Sequence, residues 1–320
     1  MYTLPLEKMS LPFAVVDFEL QAVDAIYFDK FPGFIFRSGF GFALRKLCRY
    51  KSANIPCREC RLKDVCPYAY IFETPRSDNK PMDFTAQNFP HPFVFQPPLF
   101  NDHHISAGQT MHLLLTLFGK GIPYLLFYIY AFDLLGEYGL GPARGRFLLK
   151  RVTDHFCGKE LYAFDDKTLR GEPEVKDVVD LQDQDDHDAV TLRFLTPAKI
   201  LNKNRPVKTL QPEVLIKRIL GRASLLAQLH TEKRWQFDHK AVIEQFCSDV
   251  QVEKESLQTK VMSPYSTRQK QYQPLDTISG CVTFAGELSP FWPLLKLGTF
   301  MHIGNSTSRG LGKYEIVAEI

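Results

Sequence analysis

Long apolar runs are missing from these 320 residues. The best candidate, 122–135, is broken by Pro123 and Asp133 and falls short of the roughly 18–20 apolar residues that a membrane helix needs. Glu7 and Lys8 precede only a brief apolar stretch, so no secretory leader is expected. These absences point to a cytoplasmic chain with no membrane partner. A dominant charge sign is also lacking: 39 Lys and Arg against 36 Asp and Glu leave a formal +3, too near neutral to demand a polyanion. With 19 Gly and 21 Pro the chain is neither collagen-like nor low in complexity. The nucleotide-hydrolase spacing G-x4-G-K-[ST] does not occur either. What remains is 45% hydrophobic and 23% charged, a globular balance sufficient for one large domain or two ordinary ones.

The near-neutral total hides an asymmetry. The stretch 165–188 holds ten acids and three bases, so its −7 leaves about +10 on the rest of the chain. Many acids and few aromatics predict a solvated linker there. Bases gather elsewhere: eight between Arg37 and Lys63, seven between Lys199 and Arg222, and three between Lys296 and Lys313. Such patches suit a phosphate-rich partner, and ordinary solvated faces are the alternative.

Four of the seven cysteines are crowded as Cys48-x8-Cys57-x2-Cys60-x5-Cys66, while Cys157, Cys247 and Cys281 stand alone. In a chain without a leader this cluster reads as a metal site, not a disulfide framework. Cys57 and Cys60 supply a chelating pair that Cys48 and Cys66 complete, with structural zinc or an iron–sulfur cluster as the occupant. Unliganded, reduced thiols are the alternative.

On either side of the acidic stretch the chain uses the same parts. A helical run from about 122 leads through Gly139 to Gly145 into the strand-like 146–152, and a run from Phe291 leads through Gly304 to Gly312 into a strand from Lys313. Gly139 and Gly145 are six apart, as are Gly304 and Gly310, and an arginine (Arg144, Arg309) precedes the second glycine each time. The front of each half agrees. Phe13 to Ile26 and Val190 to Leu195 read as strands; Gly33 to Tyr50 and the 3.6-spaced Leu215, Ile219, Ala223, Leu226 and Leu229 read as helices. Further strands fit Thr110 to Leu117 and Cys281 to Ala285. The expectation is an α+β chain of tandem ferredoxin-like, RRM-like βαββαβ domains with a carboxyl-terminal glycine-rich loop. Residues 1–164 would form the first domain, with an insertion at 48–66; 165–188 would link it to a second domain at 189–320.

Closely spaced glycines let backbone N–H groups approach a phosphate. Gly304, Ser306, Gly310 and Gly312, flanked by Arg309 and Lys313, therefore read as a nucleic-acid grip, against a tight helix-to-strand turn. Arg37, Arg144, Arg268 and Lys270 join them as candidate nucleic-acid contacts.

The segments Gly304-Asn-Ser-Thr-Ser-Arg-Gly-Leu-Gly-Lys-Tyr314, Gly280 to Gly286 and Tyr265 to Gln269 resemble the carboxyl-terminal domain of CRISPR repeat-processing endoribonucleases of the RAMP superfamily. In the amino half, Arg37-Ser-Gly-Phe-Gly-Phe-Ala-Leu-Arg45 and Cys66-Pro-Tyr68 support the likeness. The resemblance implies metal-independent cleavage of precursor CRISPR RNA within its repeats to make guide RNAs. The ribose 2′-OH would attack the adjacent phosphate and leave a 2′,3′-cyclic phosphate and a 5′-OH. CRISPR repeat RNA and other CRISPR-associated effector subunits are the implied partners of a monomer or homodimer.

Such chemistry needs a base, an acid and a cation. Family members often carry a histidine on or near the first helix, but Gly33 to Tyr50 contains none. His302, next to the basic glycine loop, is the first candidate; His103 and His104, in a polar stretch, come next; Tyr265 offers a phenol. Two rivals stand: a RAMP subunit that binds guide RNA without cutting it, and a cysteine-cluster redox protein.

Overall fold

The computed structural model describes residues 3–48, 59–74, 89–99, 103–263, 265–266, 271–272 and 274–317. Residues 14–174 form one compact unit; residues 1–13 and 175–320 form another.

The first unit is built on period-two alternation. Strand β1 (Phe13–Ala22) buries Val16, Phe18, Leu20 and Ala22 and leaves Asp17, Glu19 and Gln21 half-exposed. Helix α1 (Pro32–Leu47) starts on a proline, where the missing N–H costs nothing, and buries Phe36, Phe40, Ala43 and Leu44. Strands β2 (Phe93–Gln96) and β3 (Thr110–Phe118), helix α2 (Leu125–Tyr138), and strands β4 (Phe147–Asp154) and β5 (Glu160–Ala163) follow. Across the sheet the order is β2-β3-β1-β4-β5. That is the ferredoxin-like plan with one added edge strand. Aromatic packing joins helices to sheet: the Phe40 ring lies 5.0 Å from Tyr128, nearly parallel to it, and 5.2 Å from Phe95, edge-on.

The second unit repeats the plan. Strand β6 (Ala189–Ala198) leads to α3 (Pro212–His230), an extra helix α4 (His239–Asp249), strands β7 (Val250–Met262) and β8 (Leu275–Gly286), helix α5 (Trp292–Met301) and strand β9 (Tyr314–Val317). The order β7-β8-β6-β9 is antiparallel throughout. The chain is thus an α+β protein with two ferredoxin-like folds in tandem.

Three expectations need correction. Strand β1 stops at Ala22; Ile26–Tyr27 instead makes a two-residue ribbon with His104–Ile105. Strand β7 has no counterpart in the sequence reading, because its polar residues mask the alternation of a solvated edge strand.

The acidic stretch is not a free linker, and the unit boundary falls after Glu174 instead of at 164. The Asp154 carboxylate accepts the Glu174 N–H at 2.6 Å, which ties the far end of the first unit down. Asp177 accepts Ser10 Oγ–H and Leu11 N–H, both at 2.6 Å, while Phe13 and Lys176 exchange backbone bonds. Val178 and Leu181 are buried. The acids here act as local acceptors, so residues up to Phe13 belong with the second unit, not the first.

Helix α2 rides so close to β4 that a Cβ built on Gly136 would stand 2.3 Å from the Phe147 carbonyl oxygen. On an exposed helix Gly→Ala stabilises by about 1 kcal/mol. Here the sign reverses: Gly136→Ala is expected to destabilise by about 1–3 kcal/mol in urea unfolding, through overpacking against backbone.

Candidate functional site

In the first unit the Ile26–Tyr27/His104–Ile105 ribbon decides which side chains reach solvent. Its period-two geometry turns Ile26 and Ile105 into the core and leaves Tyr27 and His104 outside. Tyr27 is 53% exposed, and its ring stacks on His104 with centroids 5.6 Å apart. His104 Nε2 lies 3.1 Å from Ser106 Oγ. His103 is exposed beside it, and its carbonyl accepts the Phe28 N–H at 2.8 Å.

The 139–145 turn abuts this ledge. A Cβ on Gly141 would meet the Tyr27 carbonyl oxygen at 2.1 Å. Leu140 and Gly145 exchange backbone bonds, so this glycine loop is a tight helix-to-strand turn with Arg144 on its exposed tip. One surface therefore gathers an imidazole, a phenol and a guanidinium-bearing turn. Tyr27 was absent from the sequence candidates; only its pairing with His104 brings it to notice.

Arg37 does not stand open to solvent. Its guanidinium sits 4.1 Å over the Phe72 ring and hydrogen-bonds His91 Nε2 at 2.8 Å, and His91 Nδ1 lies 2.9 Å from Thr74 Oγ1. Arg268, Lys270 and Cys57 lie outside the described residues, as does the Tyr265 side chain; the Tyr265 backbone pairs with Tyr272.

In the second unit the carboxyl-terminal glycine loop is a packed element, not an open cradle. Ile303 N–H donates to Gly312 O, Asn305 N–H to Lys199 O, Gly310 N–H to Thr307 O and Gly312 N–H to Pro197 O. Those amides are already engaged within the protein. Gly312 has φ +76°, and a Cβ there would sit 1.9 Å from the Ile303 carbonyl oxygen, so no other residue fits. Thr307, Ser308 and Gly310 are buried; Asn305 is exposed, and Gly304, Ser306 and Arg309 are half-exposed.

His302 is a correction. It is 1% exposed, and its Nδ1–H donates to the Leu311 carbonyl at 3.2 Å. Burial, with Lys313 and Arg222 nearby, holds the imidazole well below its ordinary pKa. A neutral, enclosed histidine cannot reach a ribose. Lys313 is also redirected: its Nζ donates to the Thr299 carbonyl at 2.8 Å.

Cys48 and Cys66 pack against the first unit's core. Burial pushes the Cys48 thiol up to about 11, with the Tyr68 backbone N–H pulling the other way and Cys66 adding to the rise. Among the described residues, Cys48, Cys60 and Cys66 do not bring their sulfurs within 4.8 Å of one another as a set. Asp154, Cys157 and Glu174 do cluster that closely, but the Asp154 carboxylate is already taken by the N–H groups of Phe156, Cys157 and Glu174.

Residues 192–314 match the family model described as CRISPR-associated endoribonuclease Cas6, and residues 11–174 match one described as an N-terminal domain. Over residues 192–314 the chain carries a domain of the CRISPR-associated endoribonuclease Cas6 family. No curated protein matches it. A Thermus thermophilus Cas6 shares its fold at TM-score 0.54 and 17% identity, over 96% of this chain and 99% of that one. A product complex of the same Cas6 gives 0.58 and 16%, over 95% and 100%. A partial Cas6-RT-Cas1–Cas2 complex gives 0.58 and 12%, over 97% of this chain and 46% of that one. At these identities the structures speak for the fold alone. Among the described residues, no helix is long and apolar enough to cross a membrane.

Burial of neutral His302 has a pH consequence. Unfolded chains bind a proton at the ordinary histidine pKa and the folded chain does not, so stability present above about pH 6.5 is lost as pH falls. Urea unfolding between pH 7.5 and 5 is expected to show a loss approaching about 1.4 kcal/mol per pH unit from this group. His302→Gln should remove that component.

Proposed function

We propose that this chain binds precursor CRISPR RNA and cleaves it within repeats by metal-independent 2′-OH attack. The observation that carries the reading is the exposed Tyr27–His104 stack beside the Arg144 turn. The 2′ oxygen bonds to phosphorus while its proton passes to a base, and the P–O5′ bond breaks as O5′ takes a proton from an acid. The products are a 2′,3′-cyclic phosphate and a 5′-OH. His104 would transfer the proton, with Tyr27 as its partner and His103 as the alternative imidazole. Arg144 steadies the developing phosphorane charge. Gly304, Ser306 and Arg309, on the exposed part of the second loop, hold the RNA backbone. Other CRISPR-associated subunits would receive the guide RNA.

Cleavage of repeat RNA in EDTA, with end-group analysis, tests this. His104→Ala is expected to lower the cleavage rate by about 10²–10⁴ with little change in affinity. Undiminished cutting by that variant removes the site. A second reading, guide-RNA binding without cleavage, is favoured by the enclosure of His302; tight binding with no product from the wild type would establish it.

The cysteine run 48–66 carries a separate proposal, a zinc ion or iron–sulfur cluster that staples a basic segment. The thiolates of Cys48, Cys57, Cys60 and Cys66 would hold such a metal, and Cys48, Cys60 and Cys66 would have to draw together to take it. Metal analysis of anaerobically purified protein is expected to find zinc or iron bound; no metal and no visible absorption would rule the site out.

A further inference from the structure

A helix leaves its last carbonyl groups without partners inside its own ladder. At α2 the backbone solves this locally, because Gly139 turns left-handed and its N–H returns to Leu135 O at 2.9 Å. Helix α5 ends differently. The next residue is His302, with φ +56°, and the following amide, Ile303 N–H, is sent across the loop to Gly312 O. Side chains meet the carbonyls of the last turn instead. Arg222 of α3 donates its Nε–H to Met301 O at 2.9 Å, and Lys313 at the start of β9 donates to Thr299 O at 2.8 Å.

We infer that Arg222 and Lys313 are positioning residues, which set the glycine loop by capping α5 and do not themselves touch RNA. The inference rests on the reading that this loop binds RNA backbone. Both cations face the negative end of a helix macrodipole. Both are also pressed away from water: burial lowers Lys313 to about 8 and Arg222 to about 9. Groups reaching into solvent for phosphates would not carry that burial cost.

Around them the loop is closed at every corner. His302 Nδ1–H holds Leu311 O, Thr196 Oγ1–H holds Gly310 O at 2.7 Å, and Lys313 N–H returns to Thr196 Oγ1 at 2.9 Å. Tyr314 O–H donates to Leu295 O at 2.6 Å, one turn back along α5. The surface presented by Gly304, Asn305 and Ser306 is thereby tied to where α5 stops.

Lys313→Met in the full chain separates positioning from contact. Loss of a charged hydrogen bond of this kind is expected to speed hydrogen exchange at Ile303, Asn305, Gly310 and Gly312 about tenfold and to weaken repeat-RNA binding by a similar factor. The slope of log affinity against log salt should stay unchanged, because no phosphate contact is lost. A slope reduced by about 0.7–0.9 would make Lys313 an RNA ligand and overturn the inference. Loop exchange equal to wild type would overturn it too. Arg222→Met is expected to act alike, with Arg222→Lys restoring part of the protection; failure of that rescue marks Arg222 as packing only. If Lys313→Met does not fold, Lys313→Gln, which keeps a donor, carries the same comparison. Wild-type protein that binds no repeat RNA would defeat the functional reading, while hydrogen exchange would still decide the role of the two cations.

Discussion

A helix that ends inside a protein must give its last carbonyls to something, and in this chain that constraint organises the carboxyl-terminal fold. Helix α5 delivers the chain to a glycine loop, the loop delivers it to β9, and β9 completes the sheet against β6. Arg222 and Lys313 satisfy the helix end, so the loop closes over a buried histidine with its amides engaged inside. Residues that look like a basic lure for RNA are therefore partly consumed in building the element that would meet it.

The first unit solves the same problem with less side-chain chemistry. Gly139 caps α2 through backbone alone, and the turn that follows leaves Arg144 at its tip. The space beside that turn is filled by the backbone of Tyr27, whose ring faces outward against His104. The two units share one plan and place their histidines differently. In the second, the histidine before the loop is sealed in; in the first, histidines from a distant segment are set on the surface.

Much of the fold was legible in local pattern. Alternation in β1, β3 and β6, 3.6-residue spacing in α3 with Pro212 at its start, and the two helix–glycine–strand endings lead to paired βαββαβ units, which the strand orders bear out. Acidic composition misled in one place. Asp177 and Asp183 are hydrogen-bond acceptors, the latter taking Trp292 Nε1–H and Lys296 Nζ–H, so a stretch rich in charge is pinned into the structure. Composition reports average solvation, and it cannot report that a single carboxylate has found a donor far away in the chain.

The amino-acid sequence by itself determined the apolar strands and helices of the paired units, where glycine must permit a left-handed turn, and which family the chain resembles, because these depend on neighbours within a few residues. Only the tertiary structure decided which histidine is exposed and which enclosed, that Tyr27 meets His104, and that Lys313 faces a carbonyl instead of solvent. Each of those outcomes joins residues brought together by sheet order and helix packing. Burial then lowers the pKa of His302 and of Lys313, since the cost of a charge depends on everything around it and not on the residue that bears it.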